Sequence, residues 1–263
     1  MGKWYRIVAK AESADIYIYD EIGMWGVTAQ AFTNALQAVR DKSSLNLYLN
    51  SPGGDVFEGM AIYNALYPLK DKITVHVMGL AASMASVVML AASHRIVYTG
   101  AMVMIHNPWG CALGTAGEMR KTAETLDKIT DQIVDIYANA IGRESDEIRR
   151  LMDDETWFNA SEAMEIGFAT EETEVEAAAS LKRKYAMKFH HAPSEIVVED
   201  EPTVREAEEA LRDAGFSDSR AKAILAKGFS LRDGGEAEHR DGGQDFDPAL
   251  RLVAGIRKNL EVF

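Results

Sequence analysis

The sequence predicts an α/β fold around a mostly parallel sheet, and three observations predict it. Short alternating or apolar runs, over 16–19, 45–50, 73–78, 95–98 and 101–105, read as strands. Between them lie stretches whose apolar residues recur at helical spacing, and this alternation favours parallel pairing with covering helices. Finally, 263 residues with 47% hydrophobic content can bury one sizeable core and carry a small appendage.

The first expected strand, Ile16, Tyr17, Ile18 and Tyr19, is ended by Asp20, Glu21 and Gly23. Thr28 can cap a helix through Val39, because Ala31, Phe32, Ala35, Leu36 and Val39 recur on one face. The strand over 45–50 runs into Ser51, Pro52, Gly53, Gly54 and Asp55. Paired glycines at a strand end permit positive φ and let backbone N–H groups approach a ligand. A second helix, over about 57–67, shows Phe57, Ala61, Ala65 and Leu66 at helical spacing and stops at Pro68.

The stretch that organises the chain is Gly79, Leu80, Ala81, Ala82, Ser83, Met84, Ala85 and Ser86. It follows the alternating run over 73–78 and precedes 87–92, which is apolar on every side and reads as a buried helix. Ser83 then stands at a strand-to-helix junction, where unpaired N–H groups and the helix dipole favour negative charge. A serine there can attack a carbonyl while nearby N–H groups receive the oxyanion. Small residues also let a buried helix pack closely, so this stretch alone leaves both readings open. Downstream, the run over 101–105 delivers His106, followed by Asn107, Pro108, Trp109 and Gly110. A histidine at an apolar strand end is positioned like a general base, although a lone one is also commonly structural. The glycine-rich stretch over 110–117 reads as a flexible insertion. Behind it, Met119, Leu126, Ile129, Ile133, Ile136 and Ala140 trace an apolar stripe suited to helix-on-helix packing.

Three stretches carry a family resemblance: Asn50-Ser51-Pro52-Gly53-Gly54, Ala81-Ala82-Ser83-Met84 and Met104-Ile105-His106-Asn107-Pro108. Together, over roughly 15–172, they resemble the Clp-protease proteolytic subunit (ClpP) family of serine peptidases. The resemblance implies a spiral of β-β-α units, shared with the crotonase superfamily. It implies Ser83 as nucleophile and His106 as base, with the backbone N–H groups of Gly54, Asp55 and Met84 as the oxyanion hole. Aligned without gaps on Ala160, Glu162, Ala163 and Gly167, the family's usual aspartate falls on Glu155, a departure whose extra methylene changes its reach. Asp154 is the alternative acid and would point elsewhere if the segment is extended. The family's loop and long helix join two rings, which would make the stripe over 119–140 partly intersubunit. The resemblance also implies protein or peptide substrates, a homo-oligomeric ring, an AAA+ unfoldase as a candidate partner and no metal or other cofactor.

The expected organisation is a peptidase domain over 1–173, a linker with a strand or two over 174–202, a helical hairpin over 203–229 and a tail over 230–263. Thr203 to Glu206 forms a capping box, and Gly215 and Gly228 end the two hairpin helices. The string Arg212-Asp213-Ala214-Gly215-Phe216-Ser217 with Ala221-Lys222-Ala223 resembles an appendage of ClpP-like proteins encoded by phages and prophages. The tail, rich in glycine and charge, reads as disordered apart from a short helix near 248–260. His190 and His191 lack further ligands in sequence and are weak evidence for a metal.

The net charge of −13 argues against a nucleic-acid surface. A single cysteine, Cys111, excludes an intrachain disulfide and fits a cytoplasmic location; in a glycine-rich loop it reads as an inert thiol. No apolar run is long enough to span a bilayer, and residues 1–6 lack a signal core or acylation motif. The leading expectation is a serine endopeptidase of the phage head-maturation kind, processing capsid or scaffold proteins. The alternatives are the proteolytic subunit of an ATP-dependent Clp-type protease, a crotonase-like acyl-CoA enzyme, and an inactive assembly scaffold.

Overall fold

A computed structural model describes residues 5–24, 26–176, 179–198 and 222. The chain divides into two units, 1–199 and 200–263. In the second, only Lys222 is described, in helical conformation. The hairpin expected over 203–229 and the tail over 230–263 otherwise lie outside the described residues.

The first unit opens with β1 (Tyr5–Ala9) and β2 (Ser13–Ile18), paired antiparallel. Ala14, Ile16 and Ile18 of β2 alternate into the core, as period-two chemistry requires. In α1 (Ala29–Gln37), the Thr28 side chain accepts from the Ala31 N–H, and Phe32 and Leu36 are buried. Strand β3 (Ser44–Ser51) buries Leu45, Leu47 and Leu49. Helix α2 (Val56–Leu66) gives way to a 3-10 turn (Tyr67–Lys72) at Pro68. Strand β4 (Ile73–Ala82) runs four residues past the expected alternation, because residues 79–82 are buried on both faces. It leads into α3 (Met84–Met89), a single buried helix segment.

After β5 (His94–Thr99) and β6 (Met102–Ile105) comes the long α4 (Ala116–Ile141), which starts on a capping box between Thr115 and Glu118. Its buried side is Ile133, Val134, Tyr137 and Ala138. The expected stripe therefore rotates at its carboxy-terminal half, because Tyr137 inserts under α3 and draws that face inward. Helix α5 (Ser145–Asp153), β7 (Thr156–Phe158), α6 (Ala160–Ile166) and β8 (Glu171–Glu176) follow.

The sheet has eight strands in the order β1-β2-β3-β4-β5-β8, with β6 pairing β4 and β7. All pairs are parallel except β1 with β2 and β6 with β7. This mixed α/β architecture agrees with the expected class. The decisive local feature is that β4 changes partner along its length: Thr74–Val77 pair with β5, and Leu80–Ala82 pair with Met102–Met104 of β6. The parallel register of the second half sends both strands out of the sheet side by side.

The stretch expected as linker is partly ordered onto the domain. It contains β9 (Leu181–Lys182), α7 (Arg183–Ala186) and β10 (Val197–Val198), with β9 and β10 parallel. Leu181 is fully buried with Leu80, Ala82 and Met104. The acid run over 153–155 also differs from a plain extended segment. Asp154 ends α5 in helical conformation, and Glu155 has a φ of 48°, so the chain reverses before β7 begins.

Candidate active site

Register alone brings two candidate groups together. Ala82 faces Met104 across the β4–β6 pair, and the Ser83 N–H donates to the Met104 carbonyl at 2.9 Å. His106 follows two residues on. Its Nε2 lies 2.8 Å from Ser83 Oγ, within hydrogen-bond range. Ser83 has φ 53° and ψ −126°, a conformation that costs a non-glycine residue about 1–3 kcal/mol and persists only where its surroundings hold it. Here they do: Ser86 Oγ donates to the Ser83 carbonyl at 2.6 Å and lies 2.7 Å from the buried Tyr137 hydroxyl. Burial raises the Tyr137 pKa, which keeps that hydroxyl a neutral partner.

The glycine turn after β3 packs against this junction. Gly53 has a φ of +87°, and a Cβ placed on it would come within 2.5 Å of the Ala82 carbonyl, 2.7 Å of Ser83 Cβ and 2.8 Å of the Met84 nitrogen. Only glycine lets the two turns approach this closely. Ser51, fully buried, pins the turn by donating to the Asp20 carbonyl at 2.6 Å and accepting from the Gly53 N–H at 3.2 Å. Among the three amides expected as an oxyanion hole, Asp55 is the exception. Its N–H donates to the Ile22 carbonyl at 2.8 Å, and its side chain caps α2 by accepting from the Glu58 N–H. The Gly54 and Met84 N–H groups have no hydrogen-bond partner among the described residues.

The expected acid also stands differently. Glu155 is only 5% exposed, but its carboxylate accepts from the His190 N–H at 2.7 Å, the His191 N–H at 2.5 Å and Trp157 Nε1 at 3.4 Å. No carboxylate hydrogen-bonds His106 among the described residues. Asp154 is exposed, and its carbonyl receives the His191 Nδ1–H at 3.0 Å. Asp153 accepts from Asn107 Nδ2 at 2.7 Å and so ties the segment after His106 to the end of α5. Burial lowers the His106 pKa; the nearby Glu155 charge pulls it up, and His190 adds to the lowering.

Ser83, His106, Gly54 and Asp55 line a cleft of about 370 Å³. Pro52, Gly53 and Phe57 come from the glycine turn and α2, and Leu126 and Ile129 from the middle of α4. Part of the apolar stripe on α4 thus faces the cleft. The arrangement can carry acyl transfer: a hydroxyl held against a neutral imidazole, beside backbone donors at a helix start.

A model of the Clp protease family matches residues 2–175, well over half of the chain. The protein belongs to the Clp protease family. Family membership makes it a serine peptidase, a hydrolase, and its mixed α/β architecture is consistent with the family's fold. Members of the family are typically oligomeric rings acting on protein substrates.

Among the described residues no helix is long and apolar enough to cross a membrane, and no group of three or more His, Cys, Asp or Glu could hold a metal ion. Cys111 is exposed, outside any regular element. Sequence reasoning missed Ser86, Tyr137, Asp153 and the amides at 190–191. A buried serine one helical turn past Ser83 was the only signal available for the first two.

Proposed function

We propose that this protein is a serine endopeptidase in which Ser83 is the nucleophile and His106 the base. The observation that carries this reading is the 2.8 Å approach of His106 Nε2 to Ser83 Oγ at a strained strand-to-helix turn. His106 takes the hydroxyl proton as Oγ bonds to the scissile carbonyl carbon, and the Gly54 and Met84 N–H groups receive the oxyanion. Collapse breaks the C–N bond, and the imidazolium returns the proton to the leaving amine. Water, activated by the same imidazole, then hydrolyses the acyl-enzyme. Glu155 favours the imidazolium through its charge, while its hydrogen bonds go elsewhere.

The substrate we propose is a phage capsid or scaffold protein, processed during head maturation by a homo-oligomeric ring. The support for this finer reading is the sequence likeness of residues 212–223 to appendages on phage-encoded relatives. Co-expression with candidate phage capsid and scaffold proteins provides the test. Wild type should trim a precursor and Ser83→Ala should leave it whole. Head proteins left uncut by an enzyme that cleaves peptides would contradict the maturation role.

A further inference from the structure

Residues 181–198 lie beyond the family match over 2–175, yet they are built onto the cleft from several sides. Leu181 packs on the ends of β4 and β6, the strands that deliver Ser83 and His106. Tyr185 donates to Asp20 at 3.0 Å, and Lys188 pairs with Glu21 at 2.5 Å. Phe189 stands edge-on to His106, with ring centroids 5.4 Å apart, and edge-on to Trp157 at 5.7 Å. The next two amides, His190 and His191, close on Glu155.

Two features decide what this segment does. The cleft remains open with the segment in place: Tyr185, Lys188 and Phe189 line it alongside Ser83 and His106, and the Ser83–His106 contact is formed. The segment is therefore a wall, not a plug. Moreover, Glu155 gives both carboxylate oxygens to the segment's backbone, so the carboxylate that would ordinarily orient the histidine holds the wall. The His106 ring has no hydrogen bond besides that to Ser83 among the described residues, and a ring held at one nitrogen can rotate away. Phe189 closes off that freedom by packing.

We propose that residues 185–191 form a wall of the substrate cleft in which Phe189 is a positioning residue for His106, and Glu155 anchors the wall through the His190 and His191 amides. The inference rests on the Ser83–His106 reading above. Losing the Phe189 ring should let His106 leave its 2.8 Å approach, and a displacement of about 1 Å costs on the order of 100-fold in rate. It should also hydrate the imidazole. The charged groups around it are Glu155 from the turn before β7, His190 from the wall, and Glu21, Asp55 and Lys188 lining the cleft. These stay in place, so relief of burial moves the pH midpoint of activity upward.

The test measures hydrolysis of a small p-nitrophenyl ester by the full chain, with hydrogen exchange of the 185–191 amides. Phe189→Ala should lower kcat about 10- to 100-fold with little change in KM and raise the pH midpoint, and Phe189→Leu should recover most of the rate. Glu155→Gln should deprotect the amides at 190–191 and lower kcat comparably. The double variant should be no worse than the weaker single one, because both act through one wall. Leu113→Ala, at a fully exposed side chain outside both the wall and the cleft lining, should change nothing. Multiplicative losses in the double variant would make Glu155 a direct partner of His106 and overturn the proposal. A wild-type rate in Phe189→Ala, a rate above wild type, or unprotected wild-type amides would also overturn it, while leaving the peptidase reading intact. Ester hydrolysis unchanged by Ser83→Ala would instead defeat the peptidase reading, with exchange protection still reporting on the wall. If Phe189→Ala fails to fold, Phe189→Leu and the wild-type exchange pattern still decide.

Discussion

His106 is the side chain on which the chemistry depends, and its environment sets a pH dependence of known sign. Burial lowers its pKa against the opposing Glu155 charge, so the imidazole stays neutral, and able to accept a proton, below the ordinary histidine range. The kcat/KM should therefore rise with pH through a midpoint below about 6.5 and then level. A midpoint at or above the ordinary value would contradict the burial argument. His76 is also buried enough to be lowered, but it stacks on Tyr48 at 4.7 Å, in the stretch of β4 that pairs with β5. His76→Ala should leave both rate and midpoint unchanged. Ser83 and His106 were legible because each ends an apolar run, a pattern contained within a few residues. The position of the Glu155 carboxylate was not, since its partners come from 35 and 36 residues away.

At the scale of elements, the site is a meeting of turns, and its weakest tolerance is at Gly53. Any side chain there runs into the backbone from Ala82 to Met84, which cannot yield without moving Ser83. Gly53→Ala should destabilise the protein by about 1–3 kcal/mol through overpacking and lower kcat on the order of 100-fold by displacing the nucleophile. Thermal unfolding and ester hydrolysis measure the two effects, and an unchanged rate would show that the turns are not in register-critical contact. The strands and α1, α2 and α4 were readable from periodicity. The extension of β4 through Ala82 was not, because residues buried on both faces carry no alternation. The inward turn of Tyr137 was hidden for a related reason: its partner Ser86 sits 51 residues earlier, beyond any local pattern.

For the whole molecule, the exposed part of α4 is the element available to a second subunit. Met119 is exposed and Leu126 half-buried, whereas Ile133, Val134, Tyr137 and Ala138 belong to the protein's own core. We expect a homo-oligomer in light scattering, weakened when Met119 and neighbouring exposed positions of α4 are made charged, and an unaltered mass would exclude this contact. Cutting the chain after residue 199, the boundary of the first unit, should preserve ester and peptide hydrolysis while impairing processing of the protein substrate. Loss of ester hydrolysis would mean that residues 200–263 support the site itself. The family likeness was legible over roughly 15–172 through its motifs, and the family match covers 2–175. The docking of 181–198 was not, because that short mixed stretch has neither period nor motif and gains its order only from packing on strand ends.

The most direct measurement of the central claim is reaction with a fluorophosphonate probe, followed by mass mapping of the labelled peptide. A serine activated by His106 should be labelled at Ser83, with the label lost in Ser83→Ala and strongly slowed in His106→Ala, since removing a member of such a pair costs up to about a million-fold. His76→Ala should label like wild type. Labelling at another residue, or labelling of Ser83 that is indifferent to His106, would contradict the account.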